Sequence, residues 1–182
     1  LFLLHRRRAV QFSISAIMWS ISLLPFYVLS ICLQSAPTGY AAEHPIPKGL
    51  ACHTPMAEHA DMEKAINPTD STTFLQIRKG IQGGIYEYSF YYPPLPEGTI
   101  WLQCYEAGKN SPLSAWKIKK KTSQKTKASG NFSCLARNKE FIIYEGDWSE
   151  YYAARIEVWF KDKKGNKRKL LEKFYTVEGW SR

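Results

Sequence analysis

Period-two alternation constrains this chain more than any other pattern. Tyr152, Ala154, Ile156, Val158 and Phe160 alternate with Arg155, Glu157 and Trp159. Successive side chains of a strand point to opposite faces, so this run has one apolar face and one mixed face. Residues 162–167 contain Gly165-Asn166, a turn pair, and 169–177 resume an apolar spacing, which together predict a hairpin. Residues 85–92 put Tyr86, Tyr88, Phe90 and Tyr92 on one face. Residues 99–106 put Ile100, Leu102 and Cys104 on one face and Trp101, Gln103 and Tyr105 on the other. Shorter strand-like runs lie at 73–78, 131–136 and 140–144. Between them, Ser111-Pro112 reads as the N-cap and first-turn proline of a helix reaching about Gln124, with Leu113, Trp116 and Lys120 at helical spacing.

Six or seven strands on short turns with one short helical insertion predict a mainly β chain, folded as an antiparallel β-sandwich of immunoglobulin-like architecture. Cys104 and Cys134 both fall on apolar parities, and a disulfide between them would close a loop around the helix. Cys52 pairing with either is the alternative. The 104–134 spacing is too short for the immunoglobulin Cys…Trp…Cys pattern, so the expectation is one of architecture.

The amino-terminal part reads as an address. Arg6, Arg7 and Arg8 precede an apolar run over 9–33, followed by small residues with Gly39 and Ala41 at −3 and −1 of a cleavage bond. A positive region, an apolar region and a small-residue exit make an export signal over 1–41. The run is also long enough to span a bilayer, so an uncleaved membrane anchor through 9–33 is the rival reading. Cleavage removes three arginines and no acids, taking the formal charge from +9 to +6. Residues 42–71 form a lead-in rich in proline and histidine, with a short helix expected at about 56–66, and 72–182 form the sandwich. The expected location is the periplasm or the outside of the cell.

Three constellations are candidates for function. The first is a metal site. A chain beginning Ala42-Glu43-His44 would offer Cu(II) or Ni(II) an amine, two amide nitrogens and an imidazole in a square plane, with His53 and His59 nearby in sequence. The second is the basic stretch Lys117, Lys119, Lys120, Lys121, Lys125 and Lys127, which would attract an anionic surface or polysaccharide; no nucleic-acid motif accompanies it. The third is aromatic. Trp101, Tyr105, Arg155 and Trp159 oppose the apolar parity of their strands, and Trp148 lies in a loop; aromatics and arginine are the usual anchors of protein interfaces.

Catalysis draws little support. The chain lacks a Gly-x-Ser-x-Gly elbow, a His-Glu-x-x-His helix, a phosphate loop and a dinucleotide fingerprint, and its strand region contains no histidine. Carboxylates at Glu140, Glu145, Asp147, Glu150 and Glu157 are the remaining acid–base candidates. The expected function is therefore non-enzymatic: an exported binding module for another protein, needing no cofactor.

Overall fold

The computed structural model describes Pro25 and residues 39–58, 73–128 and 133–180, leaving aside the side chains of 133–138. All but Pro25 belong to a compact unit that begins at Gly39. The apolar run at 9–33 and His59 lie outside the described residues. No described helix is long and apolar enough to cross a membrane.

The unit is mainly β, with two antiparallel sheets and two short helices. The first sheet has the order β1-β2-β6, from Phe74–Lys79, Ile85–Tyr92 and Ser133–Ile142. The second has β3 (Gly98–Glu106) and β7 (Tyr152–Asp162) at its centre and β8 (Lys167–Val177) beyond β7. Two short strands, β4 (Pro112–Leu113) and β5 (Gln124–Thr126), share the other edge of β3. One buried cluster draws on both sheets, including Leu75, Tyr86, Phe90 and Phe141 from the first and Ile100, Leu102, Ile156 and Val158 from the second. Each such side chain contributes about 1.5–3 kcal/mol when fully buried. The expected alternation in β2, β3 and β7 is therefore the packing of a β-sandwich.

The β7–β8 hairpin closes as its sequence predicts. Gly165 takes φ +94, a left-handed value that disfavours a side chain. Asn166 donates from its backbone and side chain to the Asp162 carboxylate, both at 2.9 Å. Those bonds hold the exposed Asp162 carboxyl below its ordinary range, the Asn166 side chain being the largest cause.

Elsewhere the structure corrects the sequence reading. The two strands expected at 131–136 and 140–144 are one strand, β6, paired along β2 with register shifts near Tyr88 and Phe90. Helix α2 runs over Ala115–Thr122, starting later than Ser111-Pro112 suggests, because Pro112 and Leu113 pair with Tyr105 and Cys104. Ile118 and Thr122 are its buried residues, while Trp116 is exposed. Thr122 Oγ1 accepts from the Leu102 amide at 2.9 Å, in the gap that β4 and β5 leave along β3. Helix α2 thus closes the side of the sandwich between β3 and β6.

The lead-in closes the opposite side. The His53 amide donates to Phe174 O at 2.8 Å and the Thr176 amide to His53 O at 2.9 Å, on the edge of β8. Three residues on, the Met56 amide donates to Ile77 O and the Lys79 amide to Met56 O, both at 2.9 Å, on the edge of β1. Pro55 between them is buried. The helix expected at 56–66 therefore does not begin at Met56, whose backbone pairs with β1; residues 59–66 lie outside the described residues. At the amino terminus of the unit, α1 (Tyr40–Glu43) sets the Tyr40 ring 4.9 Å from that of Tyr152, edge to face.

The disulfide expected between Cys104 and Cys134 is not formed, and Cys104 is a free, fully buried thiol. Parity put both residues on core faces but ignored position along the strands. Cys134 pairs with Tyr91 in the first sheet, whereas Cys104 pairs with Leu113 and Ile156 in the second. A disulfide needs Cα atoms within roughly 7 Å.

Candidate partner-binding face

Residues 99, 101, 103 and 105 of β3 and 155, 157, 159 and 161 of β7 turn away from the core, onto the outer face of the five-stranded sheet. The antiparallel register makes Trp101 and Trp159 direct cross-strand partners, and Tyr105 and Arg155 likewise. Four residues singled out in the sequence thus form two cross-strand pairs on one face, with the pair Gln103–Glu157 between them. Cross-strand neighbours of this kind lie about 4.5–5.5 Å apart at Cβ and interact directly.

Glu157 organises the face. It is only 4% exposed, and a buried carboxylate is costly unless donors surround it. Its Oε2 accepts from Trp159 Nε1 at 2.7 Å, and its Oε1 accepts from Lys169 Nζ at 3.0 Å. Arg155 Nε forms an ion pair with Oε1 at 3.1 Å. Lys169 also binds Glu172, and that hydrogen bond is the main reason the Glu172 carboxyl is held below, and the Lys169 amine above, its ordinary range. The Arg155 guanidinium lies 5.0 Å from the Tyr105 ring centroid and donates to Asn110 Oδ1. Trp159 and Arg155 are thereby fixed in place, which lowers the ordering cost of an interface built on them.

Trp101 departs from the expectation of an exposed anchor. It is 4% exposed, with Lys119 Nζ 5.1 Å from its ring centroid, and its Nε1 makes no hydrogen bond among the described residues. Trp159, Tyr105 and Arg155 are half-buried. Trp148 is 50% exposed and lies elsewhere, in the loop after β6, where an added Cβ at Gly83 would come 3.0 Å from its ring.

The basic stretch is divided by the fold. Lys117 and Lys121 turn toward β6: Lys117 Nζ is 3.6 Å from the Tyr144 ring centroid and Lys121 pairs with Glu140 at 2.6 Å. These two lysines, Ile118, Ile142 and Tyr144 line a cavity of about 70 Å³. Lys119 lies over Trp101, Lys120 and Lys127 are exposed, and Lys125 belongs to β5. Lys125 and Lys161 flank Thr99 from either side, and Lys161 pairs in turn with Lys167. Lys161 and Lys167 escape notice in a linear reading because only the sheet register sets them beside Lys125.

The two histidines of the described unit, His44 and His53, make separate contacts. His44 stacks on Tyr40 at 4.0 Å, and its Nδ1 is 2.9 Å from Tyr40 O. His53 binds β8 through its backbone and lies 5.5 Å from the Tyr175 ring. Among the described residues, no three His, Cys, Asp or Glu side chains gather as metal ligands would. The carboxylates also disperse: Glu140 pairs with Lys121, while Glu145 accepts from Ser114 N at 2.8 Å and Ser114 Oγ at 2.7 Å. No family model matches the chain, and no match is found among curated proteins or solved structures.

Proposed function

We propose that this chain is an exported, non-enzymatic binding module that meets another protein through the outer face of its five-stranded sheet. The observation that carries the reading is the register that sets Trp101 beside Trp159 and Tyr105 beside Arg155, with Glu157 holding Trp159 and Arg155 from below. An aromatic and an arginine preset by neighbours are the residue types that dominate interface energetics. Photo-crosslinking tests this reading. A benzophenone side chain placed at 159 in the native host should recover a protein adduct that the same group at exposed Lys120 does not, and Arg155→Ala should weaken its recovery. Adducts formed at 148 but not at 159 would move the interface to the loop end and end the proposal.

A further inference from the structure

We infer that the partner presents an extended acidic segment, laid across the strands along the row Lys125–Thr99–Lys161–Lys167; this rests on the protein-binding reading of the same face. The row is a product of register: Thr99 pairs with Lys125 on one side and Lys161 on the other, and Lys161 with Lys167. All three lysines are exposed. Register singles them out: exposed Lys48, Lys109 and Lys120 also have no ion pair among the described residues, but only Lys125, Lys161 and Lys167 share one row. Lys169 is matched by Glu157 and Glu172, Lys163 by Glu97, Lys121 by Glu140 and Lys79 by Glu178. Lys125, Lys161 and Lys167 have no ion pair among the described residues, so their charge is left for a ligand.

The dimensions define the ligand. From β5 to β8 the row crosses three inter-strand spacings, about 14 Å. An extended peptide covers that length in about five residues. Carboxylates spread along such a segment would repeat the lysine–carboxylate pairing that the face already uses at Lys169. The next row along the strands holds Trp101, Trp159 and Lys169. Its half-buried Trp159 gives the flanking residues of the partner an aromatic contact, so the basic row sets orientation and Trp159 adds affinity.

The test is a titration of the full chain with end-labelled hexaglutamate at low and moderate salt. Lys125→Gln, Lys161→Gln and Lys167→Gln combined should weaken binding about tenfold, the sum of three exposed charge pairs, and flatten its salt dependence. Lys48→Gln, Lys109→Gln and Lys120→Gln combined remove the same charge elsewhere and should change binding less than twofold. Equal losses from both triple variants would reduce the effect to net charge and overturn the inference. So would dextran sulfate binding through the row where hexaglutamate does not bind, which would point to a polysaccharide. Benzophenone at 159 separates the two readings. A partner captured there but indifferent to the row variants removes the acidic segment and keeps the face. Row-dependent hexaglutamate binding without any partner at 159 keeps the row and removes the proposed interface.

Discussion

The Tyr86 hydroxyl engages both polar backbone groups of Glu178, donating to its carbonyl at 3.1 Å and accepting from its amide at 2.8 Å. Tyr86 belongs to the first sheet and Glu178 directly follows the last strand of the second, so one phenol ties the two sheets at the end of the chain.

Tyr86→Phe keeps the ring in the core but leaves that amide and carbonyl without their partner. Unsatisfied buried polar groups cost about 1–3 kcal/mol each. The variant should lower the urea midpoint with an unchanged slope, since the same surface is exposed on unfolding. An unaltered midpoint would show that water replaces the hydroxyl at no cost.

Acid should expose the Lys169–Glu172 contact. The Glu172 carboxyl is held low in the folded protein, chiefly by its hydrogen bond from Lys169. A carboxyl depressed on folding stabilises the fold above its unfolded pKa, and that contribution is lost as pH falls through the folded value. Glu172→Gln should therefore lower Tm near pH 6 relative to the parent, and the gap should close as pH falls below the ordinary carboxyl range. Parallel curves over that range would rule out this linkage.

Thiol chemistry offers a direct check on the cysteines. Burial pushes the Cys104 thiol far above its ordinary range, with smaller contributions from Glu145 and Glu157, and only the thiolate attacks disulfide reagents. Cys104 should stay unlabelled in the native chain and react once denatured, whereas the half-buried Cys52 should label before it. Peptide mapping without reduction should find no Cys104–Cys134 link.

The bond after Ala41 has a structural consequence if it is cut. Tyr40 and Ala41 pack against the core, so a chain beginning at Ala42 loses the Tyr40–Tyr152 contact and should be less stable by about 1–3 kcal/mol. It also gains the free amine that a square-planar site at His44 requires. Copper titration should give the visible absorption of such a site in the shortened chain and not in the full one. The same spectrum from both would place the metal elsewhere.

Local pattern carried most of the architecture. The alternation of Tyr152 to Phe160 and the Gly165-Asn166 turn specify the hairpin, because both depend on neighbours in sequence. Trp101 and Trp159 were assignable to outer faces for the same reason. Their adjacency depends on the β3–β7 register, which joins segments more than 50 residues apart and leaves no local trace. The mistaken disulfide has that origin too, as parity gives a face but not a height along it. Pro112 misleads because a proline that suits a helix start also suits a short edge strand, where its missing amide is not needed.

A sandwich with open sides offers other molecules ready-made hydrogen-bonding edges on which to add a strand. Residues 53–56 occupy those groups at Phe174 and Thr176 of β8 and at Ile77 and Lys79 of β1. A second copy seeking the same positions finds them already filled by the first copy's own lead-in. The short proline-bearing segment that ties the two sheets together thus also denies those positions to an incoming strand.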